Sequence, residues 1–129
     1  MKETFVQLLV AGLGGFFGAA SRHAVGLWMG VITSYHWFPG ATLVVNVFGC
    51  LLIGALGRAT GLTGHWRLFV ITGILGGLTT FSSFGFQSLE LMRDRNGWLA
   101  VLNVVLHVVL GLGAVCAGYW LMGTRLVHR

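Results

Sequence analysis

One stretch decides the fold of this chain: Gly76-Gly77-Leu78-Thr79-Thr80-Phe81-Ser82-Ser83-Phe84. It lies in the run from Leu68 to Leu89, which contains no Lys, Arg, Asp or Glu. Such a run is long enough to cross the hydrocarbon core of a bilayer, which takes about 20 residues. Glycine has low helix propensity, and Ser and Thr hydroxyls compete for backbone hydrogen bonds. We therefore expect a membrane-spanning helix that breaks in its middle.

The composition of the whole chain agrees with a membrane protein. Of its 129 residues, 56% are hydrophobic and only 9% are charged, whereas a soluble domain carries about 25% charged residues. The net charge is +5, but the basic residues flank apolar runs, so lipid headgroups are better partners than nucleic acid. Cys50 and Cys116 both fall within apolar runs and have no metal or disulfide spacing.

Four apolar runs predict an all-α integral membrane protein. We expect one domain, residues 1–129, with spans at about 4–30, 40–57, 67–91 and 97–123. Four spans place both termini and the loop around 58–67 on one side. That side then holds five Lys or Arg residues and the other side three, a weak bias under the positive-inside rule. Such a chain is able to insert either way up, so we expect an antiparallel, dual-topology homodimer.

The break itself allows two interpretations. Backbone carbonyls freed between Gly76 and Thr80 are hard oxygen ligands, suited to an alkali cation. The competing interpretation is a glycine kink whose hydroxyls bond back to the preceding turn, with Phe81 and Phe84 as packing residues.

The residues after the break have a chemistry that suits a small anion. Phe81 and Phe84 share one helix face, and an aromatic ring is electropositive at its edge. Asn46, Ser82 and Ser83 add amide and hydroxyl donors. Weak dipolar donors favour conduction, since a fixed positive charge would bind the anion and slow its release.

These residues lie in motifs that resemble the CrcB/Fluc family of small fluoride channels. Three of them occur in order along the chain: Gly14-Gly15-Phe16-Phe17-Gly18-Ala19-Ala20-Ser21-Arg22, then Gly40-Ala41-Thr42-Leu43-Val44-Val45-Asn46-Val47-Phe48-Gly49, then Gly73-Ile74-Leu75-Gly76-Gly77-Leu78-Thr79-Thr80-Phe81-Ser82-Ser83-Phe84. With the four-span layout, the resemblance covers nearly the whole chain.

The resemblance implies a dimer with two narrow pores and a central Na⁺. It assigns the sodium to the backbone carbonyls of Gly76 and Thr79, and the fluoride pathway to Asn46, Phe81, Phe84, Ser82 and Ser83. Arg22 would lie at a pore vestibule, the alternative being an anchor at the end of the span.

The chain departs from the family pattern near the end of the third span and in the fourth. Gln87 stands where many relatives have Glu, and Asn103, His107 and Gly111 stand where relatives often have Tyr or Ser. His107 either lines the pore or, the interpretation we favour, bonds across the helix interface as a neutral ring.

The sequence therefore predicts a passive fluoride channel in the bacterial plasma (inner) membrane, exporting cytoplasmic fluoride down its electrochemical gradient. A proton-coupled drug exporter needs a carboxylate inside the membrane, whereas Glu3, Glu90 and Asp94 lie at span ends or in loops. A proton-coupled fluoride or small-ion exporter, relying on His107, is the alternative. A non-transporting assembly subunit is a third hypothesis. No enzyme motif is evident.

Overall fold

The computed structural model describes residues 1–32, 38–57 and 62–126, and every regular element in these ranges is helical. The elements are α1 (Lys2–Ile32), α2 (Gly40–Gly57), α3 (Gly64–Arg67), a π-helical segment π1 (Leu68–Leu75), α4 (Gly76–Leu78), α5 (Phe81–Arg93) and α6 (Gly97–Leu126). Arg58 and Arg129, which the charge comparison above includes, lie outside the described residues.

Four helical spans in the described part of the chain are long and apolar enough to cross a membrane: Lys2–Val31, Gly40–Gly57, Gly64–Arg93 and Gly97–Met122. Only between 11% and 22% of the most apolar window of each span is buried. Most of the apolar surface therefore faces outward, the arrangement expected where lipid replaces water. The predicted all-α, four-span class is confirmed.

Glycines bring α1 into backbone contact with the first half of the third span, residues 64–78. A methyl group added at Gly14 would lie 2.8 Å from the Cα of Gly73, and one added at Gly18 would lie 2.8 Å from the backbone nitrogen of Leu78. Gly14 and Gly18 are four residues apart and lie on one face of α1, a small-residue spacing typical of helix contacts in membranes, and their partners are themselves glycine-rich. Close backbone approach of this kind drives helix association where no hydrophobic effect operates between helices.

The helices α2 and α6 meet in the same way. A methyl group added at Gly54 would lie 2.9 Å from the carbonyl carbon of Val115, and one added at Gly118 would lie 2.8 Å from the Ala55 nitrogen. The two glycine-mediated pairs, α1 with the first half of the third span and α2 with α6, form the frame of the bundle. Between them, Val45, Leu75 and Leu78 form the small buried core.

Candidate functional site

The third span breaks at Thr79 and Thr80, at the centre of the stretch quoted first. Both residues have extended backbone, with φ/ψ of −81°/151° and −149°/116°. The Thr79 hydroxyl donates to the carbonyl oxygen of Leu75 at 2.9 Å, as the kink interpretation expects. Gly76 and Gly77 remain helical, so the predicted break is confirmed, and within the expected range of 76–80 it lies at the two threonines.

Asn46 on α2 pairs with the broken backbone in both directions. Its Nδ2 donates to the carbonyl oxygen of Thr80 at 3.0 Å, and the Thr80 N–H donates to its Oδ1 at 2.7 Å. An unpaired backbone group at this depth would cost several kcal/mol. The Asn46 amide thus takes the place of a neighbouring peptide group and makes the break possible. One Nδ2 proton remains beyond the proton given to Thr80.

Thr80 also begins the helix that follows. Its Oγ1 accepts a hydrogen bond from the Ser83 N–H at 3.2 Å and donates to the Ser83 Oγ at 3.1 Å, while lying 3.2 Å from the Ser82 Oγ. A threonine at this position is a favourable N-cap. Sequence reasoning did not assign this role to Thr80, although a threonine directly before a helix is the signal that would have identified it.

The break changes the hydrogen bonding of the two carbonyls predicted to hold sodium. In an uninterrupted helix the Thr80 N–H would donate to the carbonyl oxygen of Gly76. It donates to Asn46 instead, so Gly76 loses that partner. The Thr79 carbonyl oxygen accepts a long hydrogen bond of 3.4 Å from Nη1 of Arg22. Arg22 therefore contacts the break itself, and its assignment to a vestibule stays a prediction.

A cavity of about 360 Å³ opens beside the break. Its wall combines the residues of the break with α2, α5 and α6, and includes Gly76, Thr79, Thr80, Asn46, Cys50, Phe81, Phe84 and His107. The rings of Phe81 and Phe84 lie 5.3 Å apart at 61°. The fold thus brings Asn46, both phenylalanines and both predicted carbonyl-bearing residues to one site.

Ser82 and Ser83 lie on a different side of α5. They line a second, more open cavity of about 490 Å³ together with Phe86, Gln87 and Glu90. Consecutive residues on a helix point in different directions, and Phe81 and the serines that follow it line different walls. The residues predicted for the fluoride pathway are therefore divided between two cavities of one chain.

The seam between α5 and α6 is polar. Asn103 is fully buried, and its Nδ2 donates to the Ser88 hydroxyl at 2.9 Å. The Ser88 hydroxyl in turn donates to the carbonyl oxygen of Phe84 at 2.8 Å. Among the described residues, three buried side-chain nitrogen or oxygen atoms have no hydrogen-bond partner, and all three lie on α5 or α6. They are Gln87 Oε1, Asn103 Oδ1 and His107 Nε2.

His107 lies in the cavity wall, against the ring of Phe84, with ring centroids 4.5 Å apart. Its Nδ1 lies 2.9 Å from the carbonyl oxygen of Asn103 on the same helix. The favoured expectation of a hydrogen bond across the helix interface is therefore wrong for Nδ1. The ring lies in the cavity wall, and the alternative expectation, that His107 lines the pore, stays a prediction.

Within the described residues, no group of three or more His, Cys, Asp or Glu side chains is placed to hold a metal ion. A cation at this site would have to rely on backbone and hydroxyl oxygens, which suit hard ions such as Na⁺.

Comparison with known proteins identifies a family for most of the chain. Residues 9–119 match the family described as CrcB-like protein, Camphor Resistance (CrcB). A fluoride-specific ion channel FluC from Elusimicrobium minutum is 40% identical over 119 residues, covering 92% of this chain and 92% of that protein. The FluC of Rhodospirillum rubrum is 41% identical over 128 residues, with coverages of 94% and 96%. The FluC of Chlorobium chlorochromatii is 37% identical over 131 residues, with coverages of 95% and 100%.

Proposed function

This chain belongs to the CrcB-like family of multi-pass membrane proteins, and from that premise we propose that it is a fluoride-selective ion channel. The observation that supports this function best is the cavity at the break, whose wall holds Phe81, Phe84 and Asn46 together. Relatives that align with nearly the whole chain are named as fluoride-specific ion channels.

The cavity offers an anion dipolar donors. The electropositive ring edges of Phe81 and Phe84 and the remaining Nδ2 proton of Asn46 are the donors of this wall. Fluoride is small and strongly hydrated, so each step into the cavity exchanges water for these groups. Because none of them carries a full charge, the anion is held weakly enough to leave. The channel would release cytoplasmic fluoride down its electrochemical gradient. It would conduct ions and would not act as an enzyme.

We place Ser82 and Ser83 on the same pathway through a second copy of the chain. The serines line the other side of α5, so one chain does not bring them to the phenylalanines. In an antiparallel homodimer, the serine side of one copy would be able to complete a pathway begun by the phenylalanine side of the other. The weak charge bias between the two membrane faces supports opposed insertion in the bacterial inner membrane.

A sodium ion at the centre of this dimer fits the carbonyl groups at the break. The Gly76 carbonyl has lost its helical partner to Asn46, and Gly76 is exposed in the single chain. The Thr79 carbonyl has a second lone pair beyond the one that Arg22 occupies. Two oxygens do not replace a hydration shell, so the site would need the same pair from a second copy. Exchanging Na⁺ for N-methylglucamine should then lower the thermal stability of the dimer. An unchanged stability would contradict the proposed sodium site.

The experiment that tests the function is anion efflux from liposomes containing the purified protein. Fluoride should leave rapidly after the membrane potential is short-circuited with valinomycin, whereas chloride should stay inside. Protein-free liposomes give the background leak. Equal efflux of both anions would contradict fluoride selectivity. No efflux of either anion would favour a non-transporting subunit.

A proton-coupled fluoride or small-ion exporter is the second candidate. The observation in its favour is the position of His107 in the cavity wall, since an imidazole is able to carry protons at physiological pH. An exporter of this kind exchanges ions in a fixed ratio, so its reversal potential depends on pH as well as on fluoride.

A further inference from the structure

His107 presents one nitrogen of its ring to a carbonyl group and leaves the other without a partner. Nδ1 lies 2.9 Å from the carbonyl oxygen of Asn103, one turn earlier in α6. A carbonyl oxygen only accepts hydrogen bonds, so Nδ1 carries a proton and donates it. In the neutral ring, Nε2 is therefore unprotonated and carries a lone pair.

The free nitrogen is buried in the single chain. Nε2 has no hydrogen-bond partner. The face of the ring stacks on Phe84, and the residue lines the cavity beside the break. A buried lone pair without a donor is unfavourable. Burial also disfavours an unpaired charge on the ring, so this atom would gain a proton together with an anion.

The surroundings do not supply a counter-charge from a carboxylate. Asn46 and Cys50 of α2 line the cavity wall. The third span contributes Thr79, Thr80 and the two phenylalanines. Among the described residues that form this wall, Cys50 is the other titratable group. The cation Arg22 reaches the break only through the Thr79 carbonyl. An imidazolium at His107 would thus meet its counter-ion as an anion in the cavity.

Resting on the fluoride conduction proposed above, we propose that His107 is a proton-dependent anion-binding group in the wall of this cavity. The neutral ring turns a lone pair toward the anion and repels it. The protonated ring, which takes its proton from water, donates a charge-assisted hydrogen bond from Nε2 to fluoride. The ring edges of Phe81 and Phe84 and the amide of Asn46 form the pathway, and His107 determines how tightly fluoride binds at a given pH.

Proton and fluoride binding then favour each other. A charge-assisted hydrogen bond changes affinity by about tenfold or more. The fluoride concentration that gives half-maximal current should therefore fall by about tenfold between pH 8 and pH 5.5. By reciprocity, saturating fluoride should raise the pH at which the His107 ring titrates by about one unit.

The test is fluoride current in planar bilayers, recorded against fluoride concentration at pH 5.5 and pH 8. Current is the right readout because neutral HF crosses lipid without carrying charge. Three proteins are compared: the unmodified chain, His107→Gln and His65→Gln. His65 is a matched control, since it lies outside the cavity and is paired with Glu3 at 3.1 Å.

The half-saturating concentration should depend on pH in the unmodified chain and in His65→Gln, and should lose that dependence in His107→Gln. A flat response in the unmodified chain, or a pH response that survives in His107→Gln, overturns the role of His107 while fluoride conduction stands. Absence of fluoride current at every pH removes the conduction proposal and this inference with it.

A second readout uses the unmodified protein and does not depend on the folding of a variant. NMR titration of the imidazole signals with and without fluoride should show one histidine whose midpoint rises with fluoride. No fluoride-dependent midpoint among the histidines would contradict the proposal.

Discussion

The two halves of the third span pack against their neighbours by different physical means. The first half, residues 64–78, meets α1 through glycines, and Gly77 approaches so closely that an added methyl group would lie 3.0 Å from the Cα of Gly15. The second half, α5, meets α6 through side chains: the hydroxyl of Ser88, the amide of Asn103 and the stacked rings of Phe84 and His107.

This difference gives the two halves of the third span different roles: the first half fixes the position of the break, and the second half carries polar and aromatic side chains. Backbone contacts leave no room for a side chain, so the first half is held in one place and offers only carbonyl groups at its end. Side-chain contacts use polar groups that are able to exchange partners, so the second half carries the rings and hydroxyls that we propose meet the ion. The two threonines join these halves, and Asn46 holds them at that point.

The largest expected effect comes from filling a backbone contact. Gly18→Ala would place a methyl group 2.8 Å from the Leu78 nitrogen and 3.0 Å from the Gly77 carbonyl carbon. We expect it to destabilise the fold by about 3 kcal/mol or more, because backbone on both sides is not able to give way. Thermal unfolding in detergent measures this loss.

The matched control is Gly12→Ala on the same helix. An added methyl group there meets no atom within 4 Å, so the change should be neutral or stabilise by up to about 1 kcal/mol through helix propensity. Equal stability of the Gly12 and Gly18 variants would show that the close approach does not hold the first half.

An intermediate effect should follow from removing the amide at the junction. Asn46→Leu leaves the Thr80 N–H and carbonyl without the partners that they have at 2.7 Å and 3.0 Å. Each unpaired group costs about 1–3 kcal/mol, so we expect a loss of about 2–4 kcal/mol together with loss of fluoride efflux.

Asn46→Asp sharpens this comparison, since it keeps an acceptor for the Thr80 N–H but loses the donor. It should retain more stability than Asn46→Leu, while fluoride efflux falls because a carboxylate repels the anion. Normal efflux from either variant would remove Asn46 from the pathway.

The smallest effect on stability should accompany a large effect on flux. Phe81 is 82% exposed in the single chain, so Phe81→Ile should change the free energy of unfolding of that chain by less than about 0.5 kcal/mol. Fluoride efflux should nevertheless fall by about tenfold or more, because an aliphatic side chain has no electropositive ring edge.

Phe48→Ile on α2 serves as the control for this substitution. Phe48 is 52% exposed and lies outside the cavity wall, so efflux should be unchanged. Equal efflux from the Phe81 and Phe48 variants would show that ring edges do not carry the anion.

Local patterns in the sequence predict much of the frame. Four apolar runs give the spans, Gly14 and Gly18 give a contact face, and hydroxyls after two glycines give a break. The exact site of the break depended on a partner far away in the chain, since the Asn46 amide pairs with Thr80 and not with the glycines. The same limit applies to His107, because its helical spacing reveals its face but not that its ring meets Phe84.

The sequence motif also did not predict that Phe81 lies on a different side of the helix from Ser82 and Ser83. Adjacent letters in a signature suggest a shared task, whereas a helix turns consecutive side chains about 100° apart. The motif therefore groups these residues together without indicating that they line two cavities.

The most direct test of the central claim is the reversal potential of the purified protein in a planar bilayer with unequal fluoride on the two sides. A passive fluoride channel predicts a shift of about 59 mV for each tenfold fluoride ratio, unaffected by a chloride gradient or by a pH gradient. A reversal potential that moves with chloride would contradict fluoride selectivity, and one that moves with pH would contradict passive conduction and favour a proton-coupled exporter.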